Sequence, residues 1–266
     1  MKSRFMEFLG GLLILSLVFG FPTTAQAQSG NEIKQNSLAE QWILKQVSQG
    51  EVADLALYTP NEQERVIRAE FIRQILKTTS VENILLNGIT VKNARVIGDL
   101  YLQHAEINFP VSFEGFKFDG NVSFCRDHFR STFSIVKSVF EYGVNFCSAK
   151  GDDSILLIDN EFKASADFSG LEVNGNLGLQ KTSFACSAQF GGSKIHGSLF
   201  LDDAVFSASS QTISFEGIHV DNTIFLNRAK FSGSASFYGA YVGSHFVADD
   251  AQFENLDGTV NSTFAP

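Results

Sequence analysis

The sequence predicts an all-β solenoid, in which each coil stacks on the previous one, preceded by a small helical cap. The first observation is a phenylalanine series with a 22-residue spacing that resumes after a three-residue insertion: Phe118, Phe140, Phe162, Phe184, Phe206, then Phe231 and Phe253. A second series has the same spacing and the same insertion: Phe124, Phe146, Phe168, Phe190, then Phe215 and Phe237. A fixed period of this length is typical of repeat architectures, so we expect both series to fill one continuous core.

Each 22-residue repeat contains short apolar pairs at positions i−2 and i, such as Val122 with Phe124 and Ala166 with Phe168. Residues two apart share a face in extended chain, so both members of a pair point inward. The inward positions are alternately five and six residues apart, which gives four short sides per coil. The solenoid is expected over residues 81–256, as about seven and a half coils and a rod of roughly 35 Å.

The corners of the coil carry two further columns. Glycine recurs at one corner, where a tight bend suits a residue without Cβ: Gly170, Gly192, Gly217 and Gly239. The opposite corner carries a column of alternating sign, here called the charge ladder: Lys137, Asp159, Lys181, Asp203, Arg228 and Asp250. Such alternation indicates vertical neighbours and favours a role in register, with a binding stripe as the alternative.

The repeat resembles the pentapeptide-repeat family, whose consensus is Ala, then Asp or Asn, then Leu or Phe, then two variable residues. The segment Ala166-Asp167-Phe168-Ser169-Gly170 matches it at every position, and others match in their inward pair: Ala94 with Val96, Ala188 with Phe190, Ala204 with Phe206, Ala229 with Phe231, Ala235 with Phe237 and Ala251 with Phe253. The resemblance covers about residues 85–256 and implies a right-handed quadrilateral parallel β-helix. The family's sides are normally five residues long, so the six-residue spacings require two corners per coil to accommodate an extra residue.

Most members of that family have no assigned activity, and its best-known members mimic DNA and inhibit DNA gyrase. The first 27 residues argue against that role here. Lys2 and Arg4 precede an apolar run at 8–21, and Ala25-Gln26-Ala27 is a small-x-small cleavage site. A 14-residue run is shorter than the roughly 20 residues that span a bilayer. We therefore expect a signal peptide at 1–27 and an exported product, periplasmic or secreted, without stable membrane insertion. An uncleaved anchor is the alternative.

A polar linker at 28–36 and a helical cap at 37–80 are expected next. Ser37 and Glu40 form a capping-box pattern for a helix that stops at Gly50. A second helix is expected to open at Thr59-Pro60 and to bury Ile67, Phe71 and Ile75. Its basic residues, Arg65, Arg68, Arg73 and Lys77, form either a docking surface or a solvated charged face. The cap would hide the open edge of the first coil.

Composition excludes several classes of function. The net charge is −9, or −10 once Lys2, Arg4 and Glu7 are removed, and no basic run occurs, so we expect no nucleic-acid partner. Cys125 and Cys147 are 22 residues apart, which places them on adjacent coils about 4.8 Å apart. An exported chain would therefore carry them either as a disulfide or as two stacked thiols. Cys186 has no partner in this register and is expected to be buried.

No catalytic, cofactor or metal site is indicated. The five histidines are expected in different columns of the repeat, so they predict neither a metal cluster nor an acid–base pair: His104, His128, His196, His219 and His245. Three aspartate pairs lack the glycine-rich frame of calcium-binding β-rolls: Asp152-Asp153, Asp202-Asp203 and Asp249-Asp250. A carbohydrate-active enzyme would need paired carboxylates across a groove, for which the sequence gives no pattern.

Two irregular places are candidates for contact with a partner. One is the polar insertion made of Ser207, Ala208, Ser209, Ser210, Gln211 and Thr212. The other is the C-terminal tail at 257–266, which either covers the last coil or leaves it open to a second copy as a homodimer contact.

The function expected from these features is a rigid, exported, non-enzymatic scaffold in the cell envelope that binds another protein or itself. The alternative is a β-helix that binds or cleaves polysaccharide, which an exposed aromatic stripe would favour. With nearly every phenylalanine assigned to an inward column, the sequence gives that alternative little support.

Overall fold

The computed structural model describes residues 36–77, 87–102, 104–211, 213–254 and 261–263. These residues form the predicted fold, a right-handed parallel β-solenoid of about seven turns with four sheets and a small N-terminal helical segment. The expected signal peptide, residues 28–35 of the linker, the end of the cap and most of the tail lie outside the described residues.

Sheets 1 and 2 contain the first two sides of each coil. The strands of sheet 1 are Ala53–Asp54, Ile89–Lys92, Val111–Glu114, Phe133–Val136, Ile155–Leu156, Leu177–Gly178, Leu199–Phe200, Ile224–Phe225 and Phe246–Val247. The strands of sheet 2 are Val66–Arg68, Arg95–Ile97, Lys117–Phe118, Val139–Phe140, Glu161–Phe162, Ser183–Phe184, Val205–Phe206, Lys230–Phe231 and Gln252–Phe253.

Sheets 3 and 4 complete the coil. The strands of sheet 3 are Leu100–Tyr101, Val122–Ser123, Val144–Asn145, Ala166–Asp167, Ala188–Gln189, Ile213–Ser214, Ala235–Tyr238 and Asn261–Thr263. The strands of sheet 4 are Glu106–Ile107, His128–Phe129, Lys150–Gly151, Glu172–Val173, Lys194–Ile195, His219–Val220 and Tyr241–Val242.

The phenylalanine columns fill the core in the predicted register. Phe140 pairs with Phe162 across adjacent strands, and Phe206 pairs with Phe231 across the insertion. Their rings stack, with centroids 4.8 Å apart for the first pair and 4.5 Å for the second, and all four side chains are buried. Stacked aromatic pairs contribute beyond their buried area, so the repeat of identical rings reinforces the register at each coil.

Two corners of each coil have a residue in the left-handed region of φ. They are the corners that lie within the five-residue spacings. The corner between sheets 1 and 2 has φ between 50° and 66° at Asn93, Gly115, Lys137, Asp159, Lys181, Asp203, Arg228 and Asp250. The corner between sheets 3 and 4 has φ between 52° and 68° at His104, Arg126, Ser148, Gly170, Gly192, Gly217 and Gly239. The charge ladder therefore occupies a backbone conformation that the glycine column predicted for the other corner only. The extra residue of the six-residue spacings lies at the other two corners.

The first helix of the cap, α1 (Leu38–Ser48), begins as predicted. The Ser37 hydroxyl accepts a hydrogen bond from the Glu40 N–H at 3.2 Å, and the Glu40 carboxylate accepts one from the Ser37 N–H at 2.9 Å. After the helix ends, Gly50 has a φ of 76°, which suits a residue without Cβ.

The second predicted helix is wrong in its extent. The chain instead forms α2 (Leu55–Tyr58), a 3₁₀ turn (Glu62–Glu64), the strand Val66–Arg68 and then α3 (Ala69–Leu76). Ile67 pairs with Val96, and Ala53 pairs with Val91, so the cap supplies the first strand of two sheets. The open strand edge of the first coil offers hydrogen bonds that the helical pattern alone does not reveal, and pairing with it prevails over local preference.

A buried ion pair connects the two parts of the cap. The Glu40 side chain is fully buried, and its carboxylate accepts hydrogen bonds from the Arg68 side chain at 2.6 and 2.9 Å and from the Arg68 backbone N–H at 2.9 Å. Burial by itself raises the pKa of Glu40, but the hydrogen bonds from Arg68 and Ser37 outweigh it and the pKa is lowered. The sequence predicted that Arg68 belongs either to a docking surface or to a solvated charged face. Both predictions are wrong for Arg68, because its guanidinium is bonded to the buried Glu40.

Candidate interaction surfaces

The outward columns of sheets 2, 3 and 4 are largely polar. Sheet 4 presents Glu106, His128, Lys150, Glu172, Lys194, His219 and Tyr241. Sheet 3 presents Tyr101, Ser123, Asn145, Asp167, Gln189, Ser214 and Ser236. Sheet 2 presents Arg95, Lys117, Val139, Glu161, Ser183, Val205, Lys230 and Gln252. Each of these faces is a regular array of solvated side chains.

Sheet 1 differs from the other three. Its outward column begins with hydroxyl side chains and then becomes apolar: Ser112, Ser134, Leu156, Gly178, Phe200, Phe225 and Val247. The rings of Phe200 and Phe225 stack outside the core at 5.0 Å with an interplanar angle of 6°. Phe200 and Phe225 are exceptions to the prediction that nearly all phenylalanines occupy inward columns. Their positions in the 22-residue register already indicate that their side chains point outward.

The assignment of the histidines to separate columns is wrong. His128 and His219 lie in the same column of sheet 4, because the three-residue insertion shifts the numbering between them. Asp221 bridges two histidines: its carboxylate lies 2.8 Å from His196 Nδ1 and 2.9 Å from His219 Nε2. The hydrogen bond to His196 is the main cause of a lowered pKa of Asp221.

These side chains form hydrogen-bonded pairs on the surface of the rod. Among the described residues, no group of three or more histidine, cysteine, aspartate or glutamate side chains has the geometry to hold a metal ion. Asp152 contacts His128 at 2.8 Å and Arg130 at 3.0 Å, and Asp153 accepts a hydrogen bond from the Thr132 hydroxyl at 2.6 Å. The aspartate pair at 152–153 is thus held by neighbours on its own and the preceding coil.

The charge ladder follows the stack of coils but forms few direct ion pairs within itself. Arg228 donates to both carboxylate oxygens of Asp203 at 2.7 Å. Lys137 instead contacts Glu114 at 2.8 Å, and hydrogen bonds from Lys137 and Lys92 lower the pKa of Glu114 to about 2. The exposed position of these pairs makes each a small contribution to stability.

The polar insertion is a short turn between sheets 2 and 3. Ser207, Ser209, Ser210 and Gln211 are exposed, whereas Ala208 is nearly buried and Thr212 lies outside the described residues. The backbone of the turn lies against the next coil, where a Cβ on Gly233 would meet the Ala208 carbonyl oxygen at 2.2 Å. Gly233 is therefore the residue that allows the insertion to lie close to the rod.

Cys125 and Cys147 form a disulfide in the structure, between outward positions of adjacent sheet 3 strands with a Cα–Cα distance of 4.7 Å. Cys186 is the free cysteine of the described residues and is half-buried, so the expectation that it is buried is wrong. The disulfide joins two coils that already pair through their backbones.

Replacing both Cys125 and Cys147 by serine is expected to lower the free energy of unfolding by about 3 kcal/mol, because the bond closes a loop of 22 residues in the unfolded chain. Urea denaturation of oxidised protein checks this. The Cys186→Ser variant is the matched control and should unfold like the original. Equal unfolding midpoints for oxidised and reduced protein would show that the bond contributes nothing.

A buried carboxylate lies at the third coil. Asp127 is fully buried; its Oδ1 accepts a hydrogen bond from the Ala105 N–H at 2.6 Å, and its Oδ2 has no partner. Burial raises the pKa of Asp127 to about 6. The hydrogen bond from Ala105 and the charge of Lys77 lower the pKa, but their effect is smaller than that of burial. The carboxylate thus satisfies one backbone group but carries an unfavourable charge at neutral pH.

The Asp127→Asn variant is expected to be more stable than the original at pH 8, by about 1–2 kcal/mol, because the amide keeps the acceptor and removes the charge. The folded pKa lies above the unfolded value, so the penalty exists above about pH 6 and disappears as the pH falls toward 3.8. Urea denaturation at pH 8 and pH 5 measures this difference. Asp127→Ala is the control that loses the acceptor and should destabilise at both pH values.

The described residues cover the C-terminal end only in part. The strand Asn261–Thr263 pairs with Ala235–Tyr238 and extends sheet 3 beyond the last full coil. In that coil Val242 and Phe246 are half-buried and Phe253 is 37% exposed, unlike the corresponding residues of the inner coils. The described part of the tail therefore pairs with one of the four sheet edges.

No family model matches the chain, and neither a curated protein nor a solved structure matches it. No helix of the described residues is long and apolar enough to cross a membrane. The structure is compatible with the quadrilateral coil of a pentapeptide repeat in its 22-residue turns and four sheets.

Proposed function

We propose that the chain is an exported, non-enzymatic β-solenoid that acts as a rigid protein-interaction scaffold in the cell envelope, as a member of the pentapeptide-repeat family. The observation that carries this proposal is the regular rod itself. Its side chains are held in four outward faces by a core of stacked phenylalanines such as Phe162, Phe184 and Phe206. A surface fixed in this way loses little conformational entropy when a partner binds.

Further support comes from the titratable groups of the surface. The carboxylates of Asp152, Asp203 and Asp221 are bound to histidine or arginine side chains, an arrangement that suits a structural surface. Export is supported by the basic start, apolar run and cleavage site of the first 27 residues.

The exposed aromatic side chains give the polysaccharide alternative little support. The outward stack of Phe200 on Phe225 is half-buried and covers two coils, and the exposed tyrosines do not extend it. Tyr101 and Tyr238 lie near opposite ends of sheet 3, Tyr142 lies between sheets 2 and 3, and Tyr241 lies on sheet 4 in the same coil as Tyr238, so the four do not form one column on which a sugar chain would stack. A glycan ligand remains an outcome of the experiment below.

The test is in-cell crosslinking of the tagged full chain, combined with fractionation and N-terminal sequencing. We expect a product outside the cytoplasm that begins at Gln28 and one reproducible protein partner. A cytoplasmic product that keeps Met1 would contradict export. Exported protein with no crosslinked protein would contradict the scaffold function and lead to glycan arrays.

Self-association is a separate part of the proposal. The exposed Phe253 at the described C-terminal end is the place where a second copy would contact the rod. Light scattering of the purified chain distinguishes monomer from dimer, and Phe253→Ser should dissociate a dimer that uses this end.

A further inference from the structure

We infer that the outer face of sheet 1 is the docking surface for an apolar segment of a partner protein that is flanked by lysine or arginine. This inference rests on the proposed scaffold function and adds the face and the chemistry of the partner. The face is named here the apolar stripe and consists of Leu156, Ile158, Gly178, Phe200, Phe225 and Val247.

The apolar stripe is continuous along the rod. Register pairs connect Leu156 to Gly178, Gly178 to Phe200, Phe200 to Phe225 and Phe225 to Val247. Four such steps of about 4.8 Å give a length of roughly 19 Å, which an extended segment of about six residues can follow. The side chains are half-buried by one another, but their outer surfaces face solvent on a rod whose other three faces are largely polar.

Gly178, in the middle of the stripe, is buried beneath neighbouring side chains. A Cβ there would lie 3.1 Å from Leu156 Cδ2 and 3.5 Å from Ile158 Cγ1, so these two side chains cover it. Gln180 Oε1 would lie 3.0 Å from the same point and is itself buried. The apolar surface beside Gly178 is therefore supplied by Leu156 and Ile158, which join it to the two phenylalanines of the stripe.

The margin of the stripe determines the charge of the partner. Asp202 and Asp249 lie two residues after Phe200 and Val247 and therefore on the same face. The next corner adds Asp159, Lys181, Asp203, Arg228 and Asp250, which gives the margin five aspartates, one lysine, one arginine and a net charge of −3. Arg228 is already bonded to Asp203. Cationic residues beside the apolar segment complement this margin.

The same charges disfavour two other occupants. A second copy would bring its own acidic margin, and the whole chain has a net charge of −9, so self-docking on this face is opposed by like charges. An anionic lipid surface would meet the same repulsion. The observations therefore favour a basic-flanked protein segment.

The experiment places the photo-crosslinking residue p-benzoylphenylalanine at Phe225 in the full chain, in the cells that produce it. Matched positions on the other faces are Tyr101 on sheet 3, Lys117 on sheet 2 and Lys150 on sheet 4. The adduct is sequenced by mass spectrometry. We expect a protein adduct from position 225 alone, at a segment whose apolar residues are flanked by lysine or arginine.

A synthetic peptide of that segment then tests the chemistry on the purified protein. Its affinity should fall at least tenfold when its flanking basic residues are replaced by glutamate, and at least tenfold for the Phe200→Ser/Phe225→Ser variant. Tyr101→Ser, which removes an exposed aromatic side chain from another face, should leave the affinity unchanged. Unchanged thermal unfolding of the double variant shows that the rod is intact.

The outcomes separate this inference from the scaffold function on which it rests. Protein adducts from positions 101, 117 or 150 only would overturn the apolar stripe and leave a scaffold with another face. An adduct at position 225 with a second copy, with lipid or with a segment lacking basic flanks would also overturn it. The absence of protein adducts at all four positions would reject both proposals.

Discussion

Replacing Phe168 by alanine is expected to lower the free energy of unfolding by about 3–5 kcal/mol, because the change leaves a large cavity in a close-packed column. The Phe168 side chain is fully buried in the middle of the rod. Its ring stacks on Phe190 at 4.9 Å and on Phe146 at 5.5 Å, and it meets the edge of Phe162 at 6.2 Å. Three aromatic contacts are therefore lost together.

Urea denaturation followed by circular dichroism measures this loss. Phe253→Ala is the matched control, because its ring is 37% exposed and stacks on one neighbour, Phe231, in the last coil. Its cost should be clearly below that of Phe168→Ala, and Phe168→Leu, which keeps most of the volume, should cost less than about 1.5 kcal/mol. Equal stability of Phe168→Ala and the original chain would mean that the register described here is incorrect.

Replacing Glu40 by alanine is expected to cost about 3–5 kcal/mol, because it removes the buried carboxylate of the pair and leaves the partly exposed Arg68 guanidinium without its partner. The same change removes the acceptor of the Ser37 and Arg68 backbone N–H groups, which fix the start of α1 and the strand Val66–Arg68. Glu62→Ala is the control. Glu62 is exposed and lies 4.0 Å from Arg65, so its loss should cost less than about 1 kcal/mol.

The contribution of Glu40 should depend on pH. Its pKa is lowered in the folded chain, so the stabilisation is fully present above about 4.5, the ordinary value, and is lost as the pH falls through the folded value. The difference in unfolding free energy between the original chain and Glu40→Ala is therefore expected to shrink on acidification. A difference that is as large in acid as at pH 7 would contradict an ionised, hydrogen-bonded Glu40.

The register of the core followed from the sequence because it depends on chain length alone. When inward residues recur every 22 positions, stacking one coil on the next places Phe140 beside Phe162 whatever the details of the corners. The same reasoning placed Cys125 beside Cys147. It failed for His128 and His219 because the insertion adds three residues between them.

The structure of the cap could not be predicted from a repeat period. Glu40 and Arg68 are 28 residues apart with no period connecting them, and Val66–Arg68 becomes a strand because an unpaired edge of the first coil lies beside it. Local pattern favoured a helix there. A hydrogen-bond partner that is distant in sequence decided otherwise.

The sequence by itself determined the solenoid, its four-sided coil, the inward columns and, where no insertion intervenes, the neighbours along the rod, since these follow from a covalent period and from the burial of apolar side chains. The tertiary structure alone decided which corners take the left-handed conformation, where the cap pairs with the first coil, and which outward side chains bond to one another, such as Asp221 with His196 and His219. These features depend on which backbone groups and side chains meet in space, and a linear pattern does not contain that information.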